Sequence, residues 1–153
     1  MDGHVYHGTQ GTAGEFGRMV GSDGKNLESF ASRKSIDRRI RAVRGGEEKL
    51  TSGEMAAMFR KGEVIVREVV EDAMTRLGVH IANQVTVLSV GTVVVGGGIV
   101  EELGEEVIEL ITEQVREHVF PKKVGQGVKV VATGLRENAG LLGAAAVARE
   151  FVS

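Results

Sequence analysis

The segment TVVVGGGIVEE, Thr92–Glu102, joins a β-branched run to three glycines and then to the start of an amphipathic stretch. A β-branched run without polar alternation predicts a buried strand over Thr92–Val95. After the glycines, apolar residues at helical spacing predict a helix over 101–118. Its apolar face comprises Leu103, Val107, Leu110, Ile111 and Val115. A strand that leads through glycines into a helix is typical of an α/β domain.

The flanking segments continue this alternation. Before the strand, a helix is predicted over 63–88, because apolar residues line one face and charged residues the other. The apolar stripe comprises Val66, Val69, Val70, Ala73, Met74, Leu77 and Ile81. After Pro121, a second short buried strand is predicted over Val128–Ala132, and Asn138 begins a helix to Phe151. Helices between the strands predict that the two strands run parallel.

The first 60 residues contain more glycine and fewer periodic segments. MDGHVYHG, 1–8, predicts the tail of a β-hairpin turning at Asp2-Gly3. A loop is expected over 8–24, followed by one helix from Asn26 to Val43 that Gly45-Gly46 end. Thr51 and Glu54 have the spacing of a helix cap and predict a short helix to Arg60.

Composition limits the function classes. The 153 residues, 42% hydrophobic and 26% charged, predict a single domain over 1–153. A net charge of -2 argues against nucleic-acid or membrane-surface partners. The lack of cysteine excludes disulfides, thiolate zinc sites and a thiol nucleophile. Without a signal-peptide-like or bilayer-length apolar stretch, a cytoplasmic location is expected.

The glycines Gly96, Gly97 and Gly98 are the first candidate contact for a ligand. Glycines at the carboxyl end of a parallel strand let a ligand approach the backbone closely. Four glutamates follow within two helical turns and would repel a phosphate, so an adenine ring or ribose fits better. These are Glu101, Glu102, Glu105 and Glu106. A strand-to-helix turn that needs glycine only for tight packing is an equal alternative.

Three other features carry weaker signals. Glu15 and Glu28, in GEFGRMVGSDGKNLESFAS (14–32), are suited to accept hydrogen bonds from vicinal sugar hydroxyls, but alone they are better explained as solvated charges. The small residues of 137–150 predict a helix that packs closely against a neighbour. The arginines of the first helix indicate a solvated face or an interface, and the histidines show no metal-binding spacing.

Taken together and in order, four blocks resemble the second half of a ROK-family sugar kinase, the group of bacterial glucokinases and N-acetylmannosamine kinases. The blocks are DGHVYHGTQGTAGEFGRM, NLESFASRKSI, VVVGGGI and AGLLGAAAVA, and they extend over essentially the whole chain. The resemblance implies the α/β, ribonuclease-H-like (actin-like ATPase) C-terminal lobe of such a kinase, with a parallel or mixed sheet flanked by helices. Residues 1–32 would form the hairpin tail and sugar-side loop, and 33–153 the helical and adenosine-side core.

The resemblance also assigns residues. It implies that Glu15 and Glu28 bind sugar hydroxyls, that Gly96, Gly97 and Gly98 lie against adenosine, and that ATP with magnesium is the cofactor. Arg18 stands where the family has a histidine that contacts sugar and a structural zinc. An arginine donates hydrogen bonds only, so Arg18 is expected to bind a sugar hydroxyl or pair with Glu15 or Glu28. GSDGK, 21–25, replaces the zinc-binding cysteines, so no zinc is expected.

Function is predicted with one alternative. We expect a sugar- and adenosine-binding lobe of a hexose or N-acetylhexosamine kinase. Because the family's phosphate-binding strands and catalytic aspartate precede the matched half, this chain alone is expected to have little or no kinase activity. The alternative is a non-catalytic sugar-sensing or assembly module related to ROK repressors. In either case the chain is expected to form a homo-oligomer or to pair with an N-terminal lobe.

Overall fold

The computed structural model describes residues 5–150, and of Glu137 and Glu150 only the backbone. In these residues, helices and strands alternate in the second half of the chain as the sequence predicts. The helices are α1 (Glu28–Ala31), α2 (Arg33–Arg44), α3 (Ser52–Arg60), α4 (Val64–Leu88), α5 (Gly98–Leu103), α6 (Glu105–His118), α7 (Lys122–Gly127) and α8 (Ala139–Glu150). The strands are β1 (Thr92–Val95) and β2 (Lys129–Ala132).

The two strands form a small parallel sheet, as predicted. Thr92 is in register with Lys129, and Val95 with Ala132. The prediction that both strands are wholly buried is wrong. Val130 is buried in the helical core, whereas Val94 and its register partner Val131 are 62% and 41% exposed. Helices thus cover one face of the sheet, and no element within residues 5–150 covers the other.

Helix α4 is the centre of the core and confirms the predicted amphipathic helix. Val66, Val70 and Ala73 on its apolar face are fully buried. At Gly78 the helix crosses α6 so closely that an added Cβ would lie 2.6 Å from Cβ of Gln114. Glycine at this position is therefore what allows the two longest helices to pack directly together.

The helix predicted over 26–43 is two helices, α1 and α2, separated at Ser32. Ser32 has extended backbone dihedrals, and its hydroxyl accepts the N–H of Ser35 at 3.2 Å as the cap of α2. Apolar spacing continues across this break, so periodicity alone does not reveal it. The predicted end is confirmed, since Gly45 caps α2 with a positive φ of 73°.

The helix predicted over 101–118 is also two helices. Gly104, with a φ of 59°, ends α5 and precedes α6. Helix α7 after Pro121 was not predicted. The predicted cap of α3 is confirmed, because the Thr51 hydroxyl accepts the N–H of Glu54 and the Glu54 carboxylate accepts the N–H of Thr51.

The two ends of the described region depart from expectation. Helix α8 does not pack closely against a neighbour: Leu141 is 73% exposed, and an added Cβ at Gly143 would meet nothing within 4 Å. The hairpin turn predicted at Asp2-Gly3 lies outside the described residues, and 5–8 form no strand. Within 5–150, no helix is both long and apolar enough to cross a membrane.

Candidate functional site

Arg18 and Glu28 meet at the edge of the fold, on either side of the loop that joins them. Arg18 ends a short 3-10 helix, Phe16–Arg18, and Glu28 is the first residue of α1. Their side chains form an ion pair, with 3.3 Å between Nε of Arg18 and Oε2 of Glu28. Both side chains are at least half exposed, so they remain available to a ligand. The sequence predicted that Arg18 would either bind a sugar hydroxyl or pair with Glu15 or Glu28, and the structure shows the pair with Glu28.

Glu15 stands immediately before the same 3-10 helix. Its backbone carbonyl accepts the N–H of Arg18 at 3.0 Å, which fixes the turn between the two residues. Its carboxylate is exposed and makes no ion pair or hydrogen bond within residues 5–150. The structure therefore brings Arg18 and Glu28 together and leaves the Glu15 side chain unpaired beside them.

The loop GSDGK, 21–25, is ordered by its own backbone. Gly21 donates to the carbonyl of Lys25 at 2.9 Å, and Gly24 donates to the carbonyl of Gly21 at 3.0 Å. The Asp23 carboxylate accepts the N–H of Lys25, while Val20 and Asn26 form an antiparallel bridge. A tight turn thus shapes the segment GSDGK, 21–25.

The three glycines after β1 have different reasons to be glycine. An added Cβ would approach the Thr133 methyl to 3.1 Å at Gly96, and would collide with the Ser52 hydroxyl at Gly98. Gly97 has a φ of 123°, which other residues rarely adopt, and its missing side chain faces open space. Packing therefore explains Gly96 and Gly98, whereas Gly97 leaves the backbone open to a ligand.

Two cavities join the Glu28 side to the glycine side. One of about 350 Å³ is lined by Glu28, Gly96 and apolar side chains that include Phe16. The other, of about 240 Å³, is lined by Gly96, Gly97 and Gly98. Both are bounded by Ala31, Ser32, Leu77 and Gly96. The cavity that Glu28 lines thus adjoins the cavity of the three glycines, whereas Glu15 and Arg18 line neither.

Sequence reasoning missed Ser32, which borders both cavities. Its position follows from the break between α1 and α2, for which the only sequence signal is a serine three residues before Ser35. A chain of hydrogen bonds fixes this corner: Ser32 Oγ donates to Ser35 Oγ at 3.0 Å, and Ser35 Oγ donates to the Glu28 carbonyl at 2.9 Å. The cap of α2 is therefore linked to the backbone of Glu28.

Three of the arginines of α2, Arg39, Arg41 and Arg44, form ion pairs with carboxylates of the fold. The Asp37 carboxylate is 4% exposed and accepts two hydrogen bonds from Arg41, at 2.9 and 3.1 Å, and one from the N–H of Leu50 at 3.0 Å. These bonds hold the pKa of Asp37 below its ordinary value, although burial opposes the shift. Arg39 and Arg44 pair with Asp72 and Glu63.

No group of three or more His, Cys, Asp or Glu side chains within residues 5–150 could hold a metal ion. The four glutamates after the glycine turn also differ from expectation. Glu101 folds back to accept the N–H of Gly97 at 3.3 Å, and Glu106 pairs with Arg60 at 2.8 Å. None of the four lines the glycine cavity, but the Glu101 carboxylate lies on Gly97, which does.

Known proteins with the same fold include sugar kinases and a regulator. Glucokinase of Thermotoga maritima is 29% identical over 98% of this chain and 53% of its own length. The structure of ROK hexokinase from Thermus thermophilus is 25% identical, with a TM-score of 0.81 over 99% of this chain and 54% of that chain.

A ROK family glucokinase from Streptomyces griseus, solved with glucose and AMPPNP, has a TM-score of 0.79 at 23% identity. It is matched by 96% of this chain over 55% of its length. A ROK family transcriptional regulator, a homologue of the E. coli MLC protein, has a TM-score of 0.71 at 23% identity, over 86% of this chain and 37% of that chain.

These likenesses confirm the predicted fold class, an α/β domain of the actin-like ATPase type with a small parallel sheet flanked by helices. The chain spans about half the length of the curated relatives it matches, 48% and 53%. The model of the ROK family matches residues 1–151, nearly the whole chain. The chain therefore belongs to the ROK family.

Proposed function

We propose that this chain is the sugar- and adenosine-binding C-terminal lobe of a ROK-type, ATP-dependent hexose kinase. The observation that carries the proposal is that the two cavities adjoin, since Ser32 and Gly96 line both the cavity on the Glu28 side and the cavity on the glycine side. Family membership and the similarity to glucokinase of Thermotoga maritima support it. In this proposal, residues 1–32 contain the sugar side and 33–153 the adenosine side.

On the sugar side, Glu15 and Glu28 accept hydrogen bonds from the hydroxyls of a hexose or N-acetylhexosamine. Arg18 holds Oε2 of Glu28, which leaves Oε1 of that carboxylate free to accept. Arg18 also has further N–H groups that can donate to a sugar oxygen. The arginine thus orients Glu28 and contributes donors where the family's histidine would both donate and accept.

On the adenosine side, Gly96, Gly97 and Gly98 line the cavity together with the apolar side chains of Met74 and Leu77. An aromatic base prefers such a surface, and the open backbone at Gly97 gives it close approach. The residues fit the adenosine part of ATP. Since no described cluster of side chains could hold magnesium, no step is assigned to the metal in this lobe.

By itself the chain is proposed to transfer no phosphoryl group. Phosphoryl transfer needs a positioned base and charge stabilisation around the phosphates. Among the described residues, Glu28 is the only carboxylate that lines either cavity, and it is already paired with Arg18. The lobe would therefore bind and orient both substrates, and another segment would complete the chemistry.

Titration calorimetry with glucose, mannose, N-acetylglucosamine and N-acetylmannosamine tests the proposal. We expect one of these sugars to bind, and Glu15→Ala and Glu28→Gln to weaken it. A coupled assay on the same samples should give no turnover with ATP. Turnover by the purified 153-residue chain would contradict the claim of incompleteness, and no binding of any sugar would contradict the sugar site.

The second candidate is a sugar-sensing module without kinase chemistry. It is favoured by the likeness to the ROK family transcriptional regulator. Both candidates predict sugar binding that depends on Glu15, so the nucleotide separates them. Binding of ADP or ATP supports the kinase lobe, and sugar binding without nucleotide binding supports the sensor.

We also propose that the uncovered apolar surfaces pair with a second copy or with an N-terminal lobe. Val94 and Val131 on the sheet and Leu141 on α8 are all more than 40% exposed. Monomeric proteins rarely leave large apolar areas of this kind in water. Multi-angle light scattering of the purified chain should give a mass above 16.3 kDa, and a monomer at all concentrations would contradict self-association.

A further inference from the structure

One basic side chain lines the glycine cavity. Arg33, the first residue of α2, borders the cavity beside Gly96, Gly97 and Gly98. Its Cδ lies 3.7 Å from the place where a Cβ would stand on Gly98. The sequence predicted for the arginines of this helix only a solvated face or an interface, because the fold is needed to bring residues 33 and 98 together.

The rest of the cavity is uncharged. Its other walls are backbone, the Ser32 side chain and apolar side chains that include Met74 and Leu77. Glu101, the first acidic residue after the three glycines, accepts the N–H of Gly97 and does not line the cavity. Among the described residues, Arg33 is therefore the one charged residue that lines this cavity, and the Glu101 carboxylate lies beside it on Gly97.

The Arg33 guanidinium is held in place but is not neutralised. Nη1 donates to the carbonyl of Leu50 at 3.1 Å, which restrains the side chain. Asp37, one turn along α2, is engaged by Arg41 and by the N–H of Leu50. The positive charge of Arg33 also acts on Asp37, but no carboxylate of the described chain forms an ion pair with Arg33. A guanidinium has five N–H donors, so most of them remain for a ligand.

We infer that Arg33 contacts a phosphate group of the nucleotide, so that the cavity prefers a phosphorylated nucleotide to the bare nucleoside. This inference rests on the proposed function, and adds to it a residue outside the glycine turn. In this arrangement the apolar side chains of the lining receive the base, and the planar cation of Arg33 receives the anion. Hydrogen bonds from a guanidinium to phosphate are charge-assisted and stronger than those between neutral groups.

The test compares ADP with adenosine. Titration calorimetry in a phosphate-free buffer without added metal gives both dissociation constants for the wild type, Arg33→Gln and Arg33→Lys. We expect Arg33→Gln to raise the dissociation constant of ADP about tenfold or more, the size typical of losing a hydrogen bond to a charged group. The dissociation constant of adenosine should stay within about twofold of the wild-type value. Arg33→Lys should keep part of the preference, since it keeps the charge and loses the fork of donors.

Lys34→Gln is the matched control. It removes a neighbouring exposed cation that does not line the cavity, so it should not change the ratio of the two constants. If Arg33 had only a structural role, through its hydrogen bond to Leu50, Arg33→Gln would weaken the binding of ADP and of adenosine by the same factor. Thermal melting by circular dichroism reports any loss of folding separately.

The outcomes separate the two proposals. If the wild type binds ADP, and Arg33→Gln prefers ADP over adenosine as strongly as the wild type does, the role of Arg33 is overturned and the proposed function stands. If the wild type binds neither ADP nor adenosine, the nucleotide site itself is overturned, and the role of Arg33 with it. A loss of preference in Lys34→Gln equal to that in Arg33→Gln would point to general electrostatic attraction and would also overturn the assignment.

Discussion

Arg18 and Glu28 form an ion pair across the loop between them, at 3.3 Å, while both side chains stay largely exposed. Exposed pairs of this kind contribute at most about 1 kcal/mol to stability. Glu28→Gln should therefore leave the melting temperature nearly unchanged while it reduces sugar binding. Calorimetry and circular dichroism on the same sample measure the two effects. A large fall in stability would show that Glu28 serves the fold.

The contact between Gly98 and Ser52 gives a test of the glycine turn. Because an added Cβ at Gly98 would overlap the Ser52 hydroxyl, Gly98→Ala should destabilise the protein by about 1–3 kcal/mol, as other overpacked sites do. Ser52→Gly in the same chain removes the obstructing side chain and should recover part of the loss. Urea denaturation measures both. If the double variant is as unstable as the single one, the overlap is not the cause.

Asp37 predicts how stability depends on pH. The hydrogen bonds from Arg41 hold its pKa below the ordinary value, so folding favours the ionised form. This contribution is present above the ordinary carboxyl pKa of about 3.9 and is lost as the pH falls through the lower pKa of the folded protein. Asp37→Asn should therefore destabilise the protein by about 1–3 kcal/mol at pH 7, as for a lost hydrogen bond to a charged group, and by less at pH 2.

Urea midpoints at several pH values measure this difference. Glu48→Gln is the control, since Glu48 is exposed and has no side-chain partner within residues 5–150. It should change stability little at any pH. If Asp37→Asn lowers the stability by the same amount at pH 7 and at pH 2, the ionised Asp37 carboxylate is not the cause of the effect.

The crossing of α4 and α6 at Gly78 predicts a strong difference between helical glycines. Gly78→Ala places a Cβ 2.6 Å from Cβ of Gln114 and should destabilise by about 1–3 kcal/mol. Gly143→Ala, in α8, meets nothing and should stabilise by roughly 0.5–1 kcal/mol, the gain in helix propensity. Equal effects of the two substitutions in urea denaturation would rule out the close crossing.

The sequence predicted those parts of the fold that depend on local pattern. The long stripe of α4, the Thr51–Glu54 cap and the order of strands and helices follow from periodicity and capping residues. It did not reveal the breaks at Ser32 and Gly104, because apolar spacing continues on both sides of each. The exposure of Val94 and the open surface of α8 depend on which elements are present to cover them, which no local pattern records.

The sequence also predicted some of the residues of the candidate site but not others. The glycine turn and the two glutamates could be named because their residue types suit the proposed ligands. Ser32 and Arg33 could not, since their importance comes from the fold bringing α2 against the turn after β1. The direction of Glu101, which folds back onto Gly97, likewise depends on three-dimensional geometry.

The exposed side chains of Val94 and Val131 also affect how the folding of this protein can be followed by fluorescence. Without tryptophan and with a single tyrosine, it offers little intrinsic fluorescence, and an environment-sensitive dye such as ANS is the usual substitute. Such dyes bind exposed apolar surface, and a bright signal is commonly taken as a sign of a molten globule. Here the fully folded chain should already be bright, and dye fluorescence should fall when a partner covers the sheet.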